Sequence, residues 1–268
     1  MLPQHQIGTL TGTLAVLWQK GLRFGSVIDI GCADGHFGLL HWEMGMLRGA
    51  RLLNVDARDL YVGSLERIRA AIGADYRICA VAERDGTMEM TQSVHPYWDS
   101  PRAADDPYWQ RVGGLAGRAV TVPARSIDSL AAELALPGPF LLKLDIQGGE
   151  LAALRGAAAT LAATDVIVIE ADVDEFGAIH EAISSAGFDL FDLVGLQRGS
   201  DASLGWFYPV YLARRNAAMR SRRLWDAGGD AAAVRAQFER RTQILKIIDE
   251  SLGRLAASAT PGRPPDGA

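Results

Sequence analysis

The sequence predicts an α/β fold: a mostly parallel, doubly wound sheet with helices on both faces and one antiparallel strand near its C-terminal end. Two observations carry this. Short β-rich apolar runs alternate with longer stretches of helical periodicity. Runs such as Phe140-Leu-Leu-Lys143 and Val166-Ile-Val-Ile169 are almost continuously apolar, as strands buried on both faces must be. A chain of 268 residues, 49% hydrophobic and 22% charged, can build one sizeable core with an appendage.

The elements follow in order. Leu10 to Leu22 reads as a helix with Leu14, Leu17 and Trp18 on one side. Ser26 to Ile30 is the first strand, followed by a helix from His36 to Gly45. Arg51 to Val55 is the second strand, with a helix from Tyr61 to Ile72, and Tyr76 to Val81 is the third. Thr87 to Thr91 alternates in polarity and reads as a short exposed strand. Residues 93–117 show no period, but hold three prolines, two adjacent glycines and the pairs Tyr97-Trp98 and Tyr108-Trp109. A loop this long inside a compact domain is disordered or functional, and its aromatics argue against disorder.

Order resumes at Ala119 to Pro123, with a helix capped by Ser126 or Asp128. Phe140 to Asp145 is a strand, Glu150 to Leu161 a helix, Asp165 to Glu170 a strand and Glu175 to Ala186 a helix. Phe188 to Val194 and Phe207 to Leu212 close the sheet as a hairpin-like pair. One domain should therefore span residues 1–215, with its core at 25–214. A helical extension (216–257) and a disordered tail (258–268) should follow. In the extension Val234, Phe238, Arg241, Leu245, Ile248, Leu252 and Leu255 trace a heptad seam. It either pairs two protomers into a homodimer or packs on its own domain.

Several classes are disfavoured. A net charge of −5 offers no electrostatic case for nucleic acid or an anionic membrane. No apolar run approaches the roughly 20 residues needed to span a bilayer, and Met1 to Ile7 lacks a basic leader. Two cysteines, Cys32 and Cys79, make no disulfide framework, which points to the cytoplasm. His5, His36, His41, His95 and His180 are too scattered for a zinc site. Arg214, Arg215, Arg220, Arg222 and Arg223 read as a solvated helix face, with binding of an anionic glycan or nucleotide-sugar the alternative.

The first strand runs directly into Gly31-Cys-Ala-Asp-Gly35 and then helical sequence. Glycines let the backbone turn sharply and admit a ligand, and the helix presents free N–H groups. Asp56 ends the second strand, placed to accept the ribose hydroxyls of an adenosine. A dinucleotide needs G-x-G-x-x-G; here glycines fall at 31, 35 and 38, with Ala33 between. Adenosylmethionine carries an ammonium in place of phosphates, and Asp29 before the loop suits it. The expected cofactor site is Asp29, Gly31, Cys32, Ala33, Asp34, Gly35, His36, Asp56, Ala57 and Val81. A nicotinamide enzyme of the Tyr-x-x-x-Lys type is disfavoured, since no tyrosine lies four residues before Lys20, Lys143 or Lys246.

The block from Leu141 to Gly156 (LLKLDIQGGELAALRG) resembles the Lys-x-Asp-x-x-Gly-x-Glu-x-x-x-Leu-x-Gly block of the FkbM family of methyltransferases. Arg125 to Leu130 resembles that family's lead-in helix, and Val168-Ile-Glu170 its following strand. Two departures stand out. Cys32-Ala33-Asp34 replaces the usual alanine-asparagine, and Gln147-Gly148-Gly149 replaces a common Glu-Gly-Ala. The resemblance implies a Rossmann-like class I methyltransferase sheet, S-adenosylmethionine as cofactor, and methylation of hydroxyl oxygens on sugars, glycans or natural products.

Methyl transfer from a sulfonium needs in-line alignment, and a hydroxyl acceptor gains from a base or a metal. Asp145 at its strand end is the first candidate for positioning or general base. Glu150 is the second, or else caps the helix that it begins. Lys143 and Glu170, on adjacent strands, are expected to form a buried ion pair. Asp145, Glu150 and Glu170 together offer oxygen ligands for a divalent metal, although none is expected. His95, Tyr97, Trp98, Tyr108 and Trp109 are candidates for a lid stacking on the acceptor, or simply anchor the loop. The competing function is a non-catalytic protein of this fold, assembling through its C-terminal helix.

Overall fold

The computed structural model describes residues 8–220, 235–236, 239, 246–252 and 254. The chain divides after Arg220 into two units. In the second, residues 246–252 are helical, with Ile248 and Leu252 exposed. The other seam positions, Arg222, Arg223 and the proline-rich tail lie outside the described residues.

The first unit opens with helix α1 (Leu10–Gln19), capped by Thr9, whose hydroxyl accepts from the Gly12 N–H. Then come β1 (Ser26–Ile30), α2 (His36–Glu43), β2 (Arg51–Asp56), α3 (Val62–Ile72) and β3 (Asp75–Ile78). β4 (Ala80–Val81), β5 (Gly86–Gln92), the short helix α4 (Tyr108–Arg111) and β6 (Arg118–Arg125) follow. After them come α5 (Ile127–Glu133), β7 (Phe140–Leu144), α6 (Glu150–Arg155), α7 (Ala158–Ala162), β8 (Thr164–Ile169) and β9 (Ala171–Asp172). α8 (Phe176–Ser185), β10 (Phe188–Val194) and β11 (Trp206–Ala213) complete it.

The main sheet runs β10-β11-β8-β7-β1-β2-β3. β3, β2, β1, β7 and β8 are parallel; β11 runs antiparallel to both β8 and β10. Alternation along each strand divides the core. Val27, Leu52, Leu141 and Val166 face α1 and α2, packing against Leu14, Leu17 and Phe37. Their neighbours Ile28, Leu53, Leu142 and Ile167 face α5, α6 and α8, against Leu130, Leu154 and Ile179. This is the doubly wound, mostly parallel sheet that the sequence predicts.

Order reverses at β1, which pairs with β2 on one side and β7 on the other. Such a switch point opens a crevice beyond the carboxyl ends of the strands, where ligands bind in open α/β sheets.

Three elements differ from expectation. The third strand is two: β3 pairs with β2 as far as Ile78, then the chain leaves the sheet and β4 joins β6. β4, β6 and β5 form a second sheet, which buries Met90 and Thr91 at the end of the strand expected to be exposed. The helix expected from Glu150 to Leu161 breaks at Gly156. A Cβ there would lie 2.4 Å from the Ala82 carbonyl oxygen, so the Ala82–Glu83 backbone leaves room for glycine only.

Ile167 is wholly buried, and Ile167→Ala should cost about 2–5 kcal/mol, read as a lower urea midpoint at unchanged slope. Exposed Leu196→Ala should change stability by no more than about 0.5 kcal/mol.

Candidate active site

Register builds the floor of the site. Asp29 on β1 lies directly opposite Lys143 on β7, and the Lys143 ammonium sits 3.0 Å from Asp29 Oδ1 and 3.4 Å from Asp145 Oδ2. It also donates to the Gly31 carbonyl at 3.3 Å. Burial alone would depress the lysine pKa, but the two carboxylates outweigh it and hold the ammonium charged. The expected Lys143–Glu170 pair is not formed. The residue opposite Lys143 on β8 is Val168, and Glu170 lies beyond the strand end, level with Asp145.

Asp29 is also placed differently from expectation. Only 1% exposed, it lies beneath the loop and faces Lys143, not a ligand ammonium. Apart from Lys143, no described residue donates to its oxygens.

Above this floor is a cavity of about 480 Å³, within the usual range for small-molecule sites. Of the expected cofactor residues, Gly31, Cys32, Ala33, His36, Asp56, Ala57 and Val81 line it; Asp29, Asp34 and Gly35 do not. Asp34 instead accepts from His36, whose ring nitrogen lies 2.7 Å away on an exposed surface. Gly35, at φ 81°, caps α2 and packs on Ile68. Gly31 admits no side chain: at φ 70°, its Cβ would fall 1.8 Å from the Asp145 carbonyl oxygen.

Asp56 is oriented by two backbone amides, Ala33 N–H to Oδ2 and Arg58 N–H to Oδ1, each at 2.8 Å. Burial raises its pKa, and those two bonds pull it back. A carboxylate has about four acceptor positions, so lone pairs remain for a ribose diol. Val81, Met88, Met90 and Tyr61 give the same cavity an apolar wall of the kind on which a purine packs. These residues fit adenosylmethionine: a diol acceptor, an apolar wall, and a glycine turn against the end of β7.

At the other end Asp145 is held by three donors. The Tyr208 hydroxyl donates to Oδ2 at 2.9 Å, the Gln147 amide to Oδ1 at 3.1 Å, and Lys143 flanks it. The Gln147 amide also donates to Glu170 Oε2 at 2.5 Å, and Tyr208 reaches Glu170 Oε1 at 3.4 Å. One amide and one phenol thus clamp two carboxyl groups. Burial, then the neighbouring Asp145 and Glu150, push the Glu170 pKa well up.

Glu150 takes a structural place. Its oxygens accept from the Ile146 and Gly148 N–H groups at 3.0 and 2.8 Å, bracing the loop between β7 and α6. Glu150 is thereby turned to the loop backbone. Among the described residues no group of three or more His, Cys, Asp or Glu side chains is arranged to hold a metal ion.

The aromatic stretch divides its work. Trp109, 1% exposed, donates to the Ala103 carbonyl and anchors the loop. Tyr108 donates to Gln147 Oε1 at 2.9 Å. Tyr97 and Trp98 line the cavity, and His95 packs on Trp98 with ring centres 4.7 Å apart. Arg58–Asp99 and the bond from Tyr61 to the Pro96 carbonyl tie the stretch to the Asp56 end. The basic stretch is not free: Arg214 and Arg220 pair with Asp189, and Arg215 with Asp165.

Sequence reasoning missed Tyr208 and the bridging role of Gln147. A signal for Tyr208 existed. Because β11 is antiparallel, its first residues lie at the carboxyl ends of the parallel strands, so Trp206 and Tyr208 reach the ligand edge. Gln147, at φ 58°, sits in a left-handed turn that no sequence pattern announced.

Burial pushes the Glu150 pKa up from 4.5 to about 7. A carboxyl raised on folding stabilises fully below its ordinary pKa, and that contribution is lost as pH rises through about 7. Unfolding free energy should therefore fall between those values, with a shallower slope in Glu150→Gln. An identical slope would contradict the assignment.

Comparison with known proteins gives one family. Residues 54–190, a little over half of the chain, match the model of the methyltransferase FkbM domain. No curated protein matches. A solved FkbM methyltransferase from Methylobacillus flagellatus is 16% identical at a TM-score of 0.38, over 70% of this chain and 45% of that one. The chain thus spans less than half the length of that relative. A precorrin-6y methyltransferase from Geobacter metallireducens is 12% identical at 0.37, covering 74% and 86% of the two chains. An rRNA methylase from Escherichia coli is 13% identical at 0.36, covering 75% and 62%. These likenesses are loose, and the assignment rests on the family model: the chain belongs to the FkbM methyltransferase family.

Proposed function

We propose that the protein is an S-adenosylmethionine-dependent O-methyltransferase acting on a hydroxyl of a sugar, glycan or natural product. The observation that carries this reading is Asp145. It stands at the switch point of the sheet, at the end of a cavity suited to an adenosine, with its geometry set by Tyr208, Gln147 and Lys143.

The donor supplies a methyl group on a positively charged sulfur, already activated, so the protein's main task is alignment. Asp56 accepts the ribose hydroxyls, and the apolar wall at Val81, Met88 and Met90 takes the base. Asp145 Oδ1, which receives only the Gln147 amide, keeps a lone pair, so the carboxylate can accept the acceptor's O–H and align its oxygen with the methyl carbon. As the new C–O bond forms and the C–S bond breaks, the hydroxyl proton passes to Asp145. Burial and its carboxyl neighbours favour the neutral form of Glu170, which limits repulsion beside Asp145. Tyr208 and Gln147 are positioning residues, holding the carboxylate without touching the acceptor.

Calorimetric titration should show adenosylmethionine and adenosylhomocysteine binding and NAD not binding; binding of NAD alone would overturn the reading. Asp145→Asn should keep near-normal cofactor affinity. It should lose at least about 100-fold in turnover, read by mass as the gain of one methylene on the acceptor. Unchanged turnover would remove Asp145 from the chemistry. A protein that binds the cofactor but modifies no hydroxyl in a broad acceptor screen would fit the assembly reading instead.

A further inference from the structure

A second cavity of about 580 Å³ adjoins the first. The two share four lining residues: Trp98, Gln147, Glu170 and Trp206. A molecule in the second cavity therefore reaches the boundary where the clamped carboxyl groups lie. Trp98 and Trp206 meet there edge to face, with ring centres 6.5 Å apart, and expose aromatic surface of the kind on which sugar rings pack.

The outer wall carries Asp172, Asp174, Glu175 and Asp201, with Arg102 and Arg111 as its only cations among the described residues. Both guanidiniums are ion-paired, although Arg102 Nε is buried without a hydrogen-bond partner. Arg111 is shared by Asp172 at 3.2 Å and Asp174 at 2.6 Å. Arg102 is held by Glu175, flanked by Asp106 and stacked on the Tyr108 ring. Asp201 is different. Its carboxylate accepts from the Ser203 N–H at 3.0 Å and the Ser203 hydroxyl at 2.6 Å, and no described cation pairs with it. An incoming phosphate would meet excess carboxylate, with both guanidiniums already neutralised by ion pairs. An incoming ammonium would meet an exposed, uncompensated carboxylate.

We propose that the second cavity is the acceptor pocket, and that its acceptor is a hydroxylated ring bearing an amine, an amino sugar and not a sugar phosphate. The ring lies against Trp206 and Trp98, the ammonium faces Asp201, and a ring hydroxyl points across the shared wall toward Asp145. This rests on the first cavity being the donor site.

The test is titration of the full chain, saturated with adenosylhomocysteine, with glucosamine, glucose and glucose 6-phosphate at a slightly acidic pH where the amine is charged. Glucosamine should bind about three- to fivefold more tightly than glucose, the range expected for one exposed ion pair, and glucose 6-phosphate least. Asp201→Asn keeps the acceptor oxygen for Ser203; it should erase the glucosamine advantage and leave glucose unchanged. Trp206→Ala should weaken all three together. Tightest binding of glucose 6-phosphate, or a glucosamine advantage that survives Asp201→Asn, would overturn the proposal. If adenosylhomocysteine binds and none of the sugars does, the acceptor pocket falls and the donor reading stands. If adenosylhomocysteine itself fails to bind, both fall.

Discussion

One buried ammonium organises this protein. Lys143 stands between Asp29 and Asp145 and touches the Gly31 carbonyl, so one side chain joins the two strands at which the sheet reverses order. Both ligand-facing loops start from that point. The Asp145 N–H donates to the Ile30 carbonyl, and Gly31 packs against the Asp145 carbonyl so closely that only glycine fits. A buried pair of this kind adds little net stability, because desolvation offsets most of the attraction. Removing one partner is another matter, costing about 3–5 kcal/mol, because it strands a charge in the core. The pair therefore serves to specify geometry.

The rest of the site is added to this centre from elements far apart in sequence. β11 brings Tyr208 and Trp206 from the far side of the sheet. The 93–117 stretch brings Tyr97 and Trp98 and ties itself to both ends of the cavity through Arg58–Asp99 and Tyr108–Gln147. Gln147 is the junction, since its amide faces two carboxyl groups while its oxygen accepts from Tyr108. A shift of the aromatic stretch would thus be felt at Asp145 through one side chain.

Much of this was legible beforehand. Alternating apolar runs and helical periods implied the doubly wound sheet, because those periods follow directly from strand and helix geometry. The glycine loop and Asp56 were readable because a turn and a strand-end carboxylate are local features. What escaped depended on register and on backbone contacts between distant segments. Lys143 has strands on both sides. Only register shows that Asp29 faces it across β1 while Val168 faces it across β8. Gly156 looked like a residue inside one long helix, yet the helix ends there and the Ala82–Glu83 backbone leaves room for glycine only. Glu150 had two readings, and the Ile146 and Gly148 amides decide for the structural one.

Replacing the buried lysine tests the central claim most directly. In Lys143→Met, adenosylhomocysteine affinity measured by calorimetry should fall at least about tenfold in protein that circular dichroism shows to be folded, with unfolding free energy lower by about 3–5 kcal/mol. Adding Asp29→Asn should recover much of the stability, by removing the stranded charge, but not the affinity. Wild-type affinity in Lys143→Met would contradict the account, showing that the donor loop is organised without this ammonium.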